Sequence, residues 1–201
     1  MKRLLVTTSL EESWGINDPI LFLGEWCKKH DRKHIWSSKD YILLPPYGLD
    51  CTQRKKDVDK KNKYFASLLT ELSALLNKFH NVDRSERYWN IIIGPWLNSY
   101  LMVLMNRYKA LEYAVNTYDI SETILLKQHG WTLTPNNYVE SRYFINSDLW
   151  NNNLYVDILK NTLKPDVNLT KIPVVNKKAH KIINASFYSK KSILKRKIIS
   201  L

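Results

Sequence analysis

The chain has 201 residues, of which 44% are hydrophobic and 12% aromatic, and this content excludes an intrinsically disordered protein, because disordered chains have too little apolar surface to bury. The formal net charge of +12 is concentrated at one end: residues 164–201 carry ten Lys or Arg and one acid, which leaves 21 basic against 18 acidic residues elsewhere. We therefore expect a folded domain over residues 1–163, followed by a basic, loosely ordered tail or the start of a second domain over residues 164–201.

Several sequence motifs that mark common classes of enzyme and membrane protein are absent from this sequence. Cys27 and Cys51 have no CxxC spacing and no His at metal-ligand intervals, so neither a disulfide framework nor a metal site is predicted. The sequence has no Gly-rich phosphate loop, GxSxG elbow or HExxH motif, and no cofactor is predicted. No apolar run reaches the roughly 18 residues of a membrane span, and no signal peptide is indicated. We expect a cytoplasmic protein, at most peripheral at the inner membrane.

The first part of the chain predicts an α/β fold. Residues 4–8 form a short β-prone run, which is typical of the first strand of an open sheet. A turn or helix-start signal at residues 17–19 predicts a helix over residues 20–30. Residues 41–44 then predict a second strand, which the two prolines at 45 and 46 stop.

Two long helices follow. The polar residues 50–62 are expected to be a loop that leads into a helix from about residue 59 to 79, where leucines and phenylalanines recur at three- and four-residue spacing. Residues 85–116 predict a second helix, with a break or kink at Gly94-Pro95. Together the two helices make a long helical hairpin.

The last third of the chain is less regular. Residues 122–128 fit either a strand or the start of a helix, and the sequence does not decide between them. Residues 147–163 predict a helix with Ser147 or Asp148 as the N-cap. Beyond residue 165 the apolar islands are too short to close a core of their own, so this part is expected to be loosely ordered.

The segment over residues 7–36 holds most of the residues suited to chemistry. It begins at the carboxyl end of the predicted first strand, which is where open α/β sheets bind their ligands. The hydroxyls of Thr8 and Ser9 are candidates to bind a polar substrate, and Glu11 and Glu25 are candidates to accept a proton from a sugar hydroxyl. A solvated acidic turn is the alternative interpretation of Glu11.

Basic and aromatic residues complete this candidate site. In an extended chain His30, Arg32 and His34 share one face, where Arg32 would bind an anionic group and His34 would act as a base. An ordinary surface ion pair of Arg32 explains the pattern equally well. Trp26 and Trp36 are candidate platforms for a sugar ring, although tryptophans are more often core residues.

Four strings then suggest a family: LVTTSLEESWG, PILFLGEWCKKHDRKHIW, RYWNIIIGPWLN and SDLWNNNLY. In this order and spacing they resemble the N-terminal portion of a family of bacterial transferases from O-antigen and related surface-glycan clusters, over roughly residues 3–160. The resemblance implies the Rossmann-like N-terminal half of a GT-B-type glycosyltransferase with a long helical hairpin. In such enzymes the N-terminal half handles the acceptor and the C-terminal half holds the sugar nucleotide.

The resemblance also implies an incomplete enzyme, because members of that family are longer and their donor-binding half has no counterpart here. It carries over Ser9, Glu11, Glu25, Arg32 and His34 as acceptor-side or catalytic candidates. The implied partners are a glycan acceptor, a nucleotide-sugar donor held by the missing half, and an anionic membrane surface, whereas nucleic acid is not favoured. The alternative is a non-enzymatic basic module or gene remnant whose tail contacts nucleic acid or membrane.

Overall fold

The computed structural model describes residues 1–16, 19–127, 135, 137–163 and 166–173. Within these residues five strands form one parallel sheet in the order β3-β2-β1-β4-β5. The strands are β1 (Arg3–Val6), β2 (Ile20–Phe22), β3 (Tyr41–Leu43), β4 (Ile120–Lys127) and β5 (Asn168–Pro173). From β1 the chain proceeds outward to β3 and then crosses to β4 on the opposite side of β1. The fold is α/β with a Rossmann-like sheet, and its topological switch point lies between β1 and β4.

The central strand β1 confirms the predicted first strand. Leu5 pairs with Leu21 on β2 and with Thr123 on β4. Successive side chains of a strand point to opposite faces, and Leu4, Leu5 and Val6 are only 2%, 1% and 0% exposed. Both faces of the sheet are therefore covered, as parallel sheets require.

The predicted helix over residues 20–30 is wrong. Ile20–Phe22 form the buried strand β2, and the chain continues through two short 3₁₀ turns, Glu25–Cys27 and His30–Arg32, into the four-residue helix α1 (Lys33–Trp36). A strand buried on both faces reads as a continuous apolar run, which a helix segment can also show. The predicted turn residues at 17 and 18 lie outside the described residues.

The helical hairpin is confirmed, with longer helices than predicted. It consists of α2 (Cys51–His80) and α3 (Glu86–Thr117), which connect β3 to β4. The expected loop over residues 50–62 is wrong, because the Asp50 carboxylate caps α2 by accepting the backbone N–H groups of Thr52 and Gln53 at 2.8 and 3.1 Å. A polar helical turn at the surface lacks the apolar stripe from which helices are predicted.

Of the break or kink expected at Gly94-Pro95, the break is wrong, since α3 continues through Pro95. Proline removes one helical hydrogen bond, but the neighbouring turns remain packed against α2. Gly94 is buried near the Phe65 ring of α2, and beyond the proline Leu97 and Leu101 form one buried cluster with Leu69 of α2. The contact between the two helices therefore holds α3 together on both sides of the proline.

The remaining elements follow the switch point. The undecided segment near residue 124 is strand β4, and the predicted helix is α5 (Asp148–Ile158) with Ser147 as its N-cap, extended by a π-helical turn at Leu159–Leu163. A short helix, α4 (Tyr138–Phe144), was not predicted. Neither was β5, which pairs with β4 over residues 168–173 of the predicted tail. Residues 174–201 of that tail lie outside the described residues.

Within the described part of the chain, no helix combines the length and the apolar character that a membrane-spanning helix needs.

A buried carboxylate joins the base of the hairpin to the sheet. Asp57 on α2 is 5% exposed and accepts hydrogen bonds from the Tyr47 hydroxyl at 2.7 Å and from Gln53 Nε2 at 3.1 Å. Lys109 Nζ on α3 lies 3.9 Å from the same carboxylate. Desolvation and the bond to Asp57 together raise the pKa of Tyr47 to about 12. The Asp57 side chain therefore contacts the segment after β3 and both helices of the hairpin.

We predict that Asp57→Ala lowers the free energy of unfolding by about 2 kcal/mol, because it removes the buried carboxylate that accepts from the Tyr47 hydroxyl and Gln53 Nε2 and faces Lys109. Urea denaturation followed by circular dichroism measures this change. The control is Asp59→Asn, an exposed acid two residues away on the same helix, which should change the stability by less than about 0.5 kcal/mol. An equally small effect of Asp57→Ala would contradict the proposed role of this carboxylate.

Candidate functional site

Side chains from the segments just before and just after β2 hold the carboxyl end of β1 in place. Three consecutive backbone carbonyls each accept a hydrogen bond from a side chain. The pairs are Cys27 Sγ to Val6 O at 3.4 Å, Trp26 Nε1 to Thr7 O at 3.2 Å and Trp14 Nε1 to Thr8 O at 3.1 Å. Because buried carbonyls need partners, these bonds fix the path of residues 6–9 as the chain leaves the sheet.

The three donors differ in exposure. Trp14 is 1% exposed and Cys27 is fully buried, and burial raises the pKa of the Cys27 thiol to about 12. Trp26 is 46% exposed, and its ring lies so close to Gly24 that a Cβ there would be 2.1 Å from it. Trp14 and Cys27 are thus core residues, whereas Trp26 is fixed at its indole nitrogen and open to solvent along part of its ring.

Asn152 on α5 links the two strands that flank the switch point. It is fully buried, and its Nδ2 donates to Thr7 Oγ1 at 3.1 Å and to the Ile124 carbonyl at 2.9 Å. Its Oδ1 accepts the Leu126 backbone N–H at 2.9 Å. The amide therefore uses both its donors and its acceptor, and it holds the amino end of α5 beside the segment that follows β1.

That placement brings Asp148 to Ser9. The Ser9 hydroxyl donates to Asp148 Oδ2 at 2.8 Å, and its backbone N–H lies 3.4 Å from Oδ1. Lys29 Nζ lies 3.6 Å from the same carboxylate. Ser9 is 6% exposed, while the side chains of Asp148 and Lys29 are 31% and 52% exposed. A fixed hydroxyl and two accessible charges of opposite sign therefore meet at the switch point.

Glu11 and Arg32 form the neighbouring pair. Arg32 donates from Nε to Glu11 Oε1 and from Nη2 to Oε2, the latter at 2.7 Å, so the salt bridge is bidentate. The hydrogen bond from Arg32 lowers the pKa of Glu11, and the charges of Arg32, His34 and Lys29 act in the same direction. His34 and Lys29 thus lie within electrostatic range of Glu11. We call Ser9, Glu11, Lys29, Arg32, His34 and Asp148 the β1 crevice.

Three predicted site residues lie elsewhere or are already engaged. Thr8 is fully buried, and its hydroxyl accepts the Leu10 backbone N–H at 3.3 Å. Glu25 is exposed and pairs with Lys28 at 3.3 Å. Trp36 donates from its indole N–H to the Lys29 carbonyl at 2.8 Å. The structure pairs Ser9 with Asp148 and Glu11 with Arg32, and the exposed His34 lies two residues beyond Arg32. Trp36 supports the backbone of Lys29.

Two residues of the crevice were not predicted as functional. Asp148 was named only as an N-cap candidate, and Lys29 was not singled out, although both lie in strings that carry the family resemblance. The contact between Asp148 and Ser9 spans 139 positions of the chain, and that between Asp148 and Lys29 spans 119. No local sequence pattern predicts contacts of this length. Within the described residues, no group of three or more His, Cys, Asp or Glu side chains is placed to bind a metal ion.

A small cavity of about 190 Å³ lies between α3, α4 and α5. It is lined by Trp96, Tyr100, Pro135, Ser141, Phe144, Ile145 and Trp150. The rings of Trp96 and Tyr100 stack at 5.5 Å. Its aromatic lining contrasts with the polar β1 crevice, which is the better candidate for proton transfer.

Comparison with protein families gave one result that bears on identity. The family model described as LIC12162 family transferase matches residues 3–201, which is nearly the whole chain. The chain belongs to the LIC12162 family of transferases. In the two other comparisons, no curated protein and no solved structure matched it. Membership in this family agrees with the transferase activity implied by the sequence, and it assigns no donor or acceptor.

We predict that Arg32→Met raises the pKa of Glu11 towards the ordinary value of about 4.3, because the bidentate partner of the carboxylate is lost. Carboxyl-detected NMR titration of this LIC12162 family member measures the change. A lowered pKa stabilises the fold above the unfolded-state pKa, and this contribution is lost as the pH falls through the folded-state pKa. The stability difference between wild type and Arg32→Met should therefore be present at neutral pH and vanish in acid.

The matched control is Arg87→Met, an exposed arginine on the first turn of α3, which should leave the Glu11 titration unchanged. The same Glu11 pKa in wild type and Arg32→Met would show that the salt bridge does not form in solution.

Proposed function

We propose that this chain is the acceptor-binding, N-terminal part of a GT-B-type glycosyltransferase of surface-polysaccharide (O-antigen) biosynthesis. The observation that carries the proposal is the cancellation of charge in the β1 crevice. Arg32 is neutralised by Glu11, and Lys29 faces Asp148. A crevice with hydroxyl, carboxylate and cationic groups but little net charge suits the hydroxyls of a neutral glycan better than a phosphate.

The segment that follows β1 supports an acceptor rather than a nucleotide. In nucleotide-binding Rossmann folds a glycine-rich turn leads into a helix, whose N-terminus binds the pyrophosphate. Here β1 is followed by a single 3₁₀ turn, Glu11–Ser13, with Glu11 and Glu12 in its first positions. This turn offers a pyrophosphate neither a glycine-rich loop nor the N-terminus of a long helix. We therefore assign the nucleotide-sugar donor to a second, C-terminal half, as the resemblance implies.

The proposed reaction transfers a sugar from a nucleotide-sugar to an acceptor hydroxyl. The acceptor oxygen forms a bond to the anomeric carbon, the bond from that carbon to the phosphate oxygen breaks, and the nucleoside diphosphate leaves with the electron pair. The hydroxyl proton passes to a base. We assign this role to the imidazole of His34, which is exposed and lies two residues beyond Arg32.

The two predicted carboxylate bases take lesser roles in this proposal. Glu11 engages both of its oxygens with Arg32, and a lowered pKa makes it a weaker proton acceptor. We propose that it positions the guanidinium towards sugar oxygens. Glu25 faces Lys28 at the rim of the site. The half-exposed ring of Trp26 supplies an apolar platform for a sugar ring.

We predict that the chain binds neutral methyl pyranosides and oligosaccharides, with millimolar affinity, in preference to UDP or GDP. Saturation-transfer and nitrogen-15 NMR measure the binding of the glycans and of the nucleotides. Trp26→Ala should weaken glycan binding about tenfold, since the platform is lost.

In a transfer assay that supplies a donor-binding half, His34→Ala should leave glycan binding intact and lower turnover roughly a hundredfold. Glu25→Gln should lower turnover by less than tenfold.

The control for Trp26→Ala is Phe79→Ala, an 82% exposed aromatic residue at the far end of the hairpin, which should leave glycan binding unchanged. Tighter binding of nucleotides than of glycans in the crevice would overturn the acceptor assignment. A larger loss of turnover in Glu25→Gln than in His34→Ala would move the base to Glu25.

A second candidate function, contact with an anionic membrane surface, is favoured by α2. Its amino-terminal half presents Lys55, Lys56, Lys60 and Lys63 at the surface, with Asp59 as the exposed acid among them. Spacings of three and four residues place Lys56, Lys60 and Lys63 on one face of the helix. Clustered lysines attract anionic lipids with a free energy on the order of 1 kcal/mol each. We call these four lysines the α2 basic face.

We predict that changing all four lysines of the α2 basic face to Gln weakens binding to vesicles containing phosphatidylserine by about tenfold or more, which sedimentation measures. Binding by the wild type should fall steeply with salt and be absent on phosphatidylcholine vesicles. The matched control changes Lys78, Arg84 and Arg87 near the hairpin tip to Gln and should retain binding. Equal loss in both variants, or tighter binding to random duplex DNA than to vesicles, would refute this surface as a membrane contact.

A further inference from the structure

Asp148 is a carboxylate that the proposed reaction does not yet use. It lies in the first turn of α5, and its bond to Ser9 crosses the switch point between β1 and β4. In open α/β sheets this edge is where ligands bind, because the connections on the two sides diverge there. Asp148 and Ser9 come from the two diverging connections, so a ligand in the crevice would lie against both of them.

The carboxylate keeps spare capacity to accept hydrogen bonds. An ionised Asp offers about four acceptor directions. Its contacts with the described residues are one short bond from the Ser9 hydroxyl at 2.8 Å, a long one from the Ser9 N–H at 3.4 Å, and Lys29 Nζ at 3.6 Å. Nearly a third of the Asp148 side chain remains accessible. An incoming hydroxyl can therefore donate to this carboxylate without displacing Ser9.

The charges beside it restrict the class of ligand. The opposite charges of Asp148 and Lys29 lie 3.6 Å apart and largely cancel, so neither an anion nor a cation is strongly attracted. A hydroxyl group both donates and accepts, so two adjacent hydroxyls can satisfy a carboxylate and an ammonium together. The fixed Ser9 hydroxyl, 6% exposed, holds the carboxylate in one orientation. The arrangement is complementary to a vicinal diol of a neutral sugar ring.

We propose that Asp148, Lys29 and Ser9 form a diol-binding site, in which one sugar hydroxyl donates to Asp148 and its neighbour accepts from Lys29. The site deepens the proposed acceptor function and rests on it. Asp148 thereby selects acceptors that carry two adjacent free hydroxyls and orients the ring relative to His34. If no ligand binds there, the contact between Ser9 and Asp148 has only the structural role of holding α5 against the segment after β1.

The test compares Asp148→Asn with the wild type by NMR titration of methyl pyranosides and their monodeoxy analogues. The amide keeps an acceptor for Ser9 but loses the charge and part of the accepting capacity. We expect the Kd of the parent glycoside to rise about tenfold, with a melting temperature within about 2 °C. For the wild type, removing the recognised hydroxyl from the glycoside should also raise the Kd about tenfold. For Asp148→Asn, the same removal should raise the Kd only slightly further, because the contact is already lost.

Two further variants keep the test decisive. Lys29→Met leaves the Ser9–Asp148 bond in place and should also weaken glycoside binding several-fold, so it substitutes if Asp148→Asn fails to fold. Asp83→Asn, an exposed acid between the two hairpin helices, is the control and should bind as the wild type does.

Additive effects of Asp148→Asn and of the deoxy analogue, or unchanged binding in both site variants, would overturn the diol site and leave Asp148 as a structural pin. If Trp26→Ala still weakens binding in that case, the acceptor function survives. If no variant of the crevice or of Trp26 alters glycoside binding, the proposed function itself fails.

Discussion

The candidate site depends on how the chain is held where it leaves β1. Three successive carbonyls there accept bonds from Cys27, Trp26 and Trp14, and Asn152 holds the Thr7 hydroxyl from the other side. Strand β1 itself is only four residues long, so its hydrogen-bond ladder alone would leave the following residues free to move. Because side chains from both connections replace the missing ladder, Ser9 and Glu11 are presented at fixed positions above the sheet.

Pairing of opposite charges gives the β1 crevice its chemical character. An unpaired arginine or lysine at the switch point would attract phosphate, which is the usual ligand of a Rossmann half. Glu11 and Asp148 remove that attraction while leaving donors and acceptors in place. Such a site would suit a neutral polyhydroxyl ligand, as the proposed acceptor function requires, and the fold alone does not distinguish an acceptor half from a donor half.

Sequence patterns revealed the parts of this structure that depend on local periodicity. The apolar stripe of α2 was found because it repeats at helical spacing, and β1 was found because polar residues follow its β-prone run. Ile20–Phe22 was misread, since a three-residue strand buried on both faces has no periodicity. β5 alternates weakly and was missed. Ser9, Glu11, Arg32 and His34 were grouped from proximity in sequence, but Asp148 joins them only through the tertiary fold.

Some residues of the candidate site are buried and rigid, whereas others are exposed to solvent, and the proposed recognition of a sugar depends on both groups. Weak, directional hydrogen bonds to hydroxyls are useful only when the protein groups are already in position, because ordering a side chain costs free energy comparable to the bond gained. Trp14 and Asn152 are buried and fully bonded, so they supply the rigid frame. Lys29 and Trp26 stand on that frame with half of their surface exposed. In the proposed complex, binding would therefore restrict the motion of the sugar ring and cost the protein little conformational entropy.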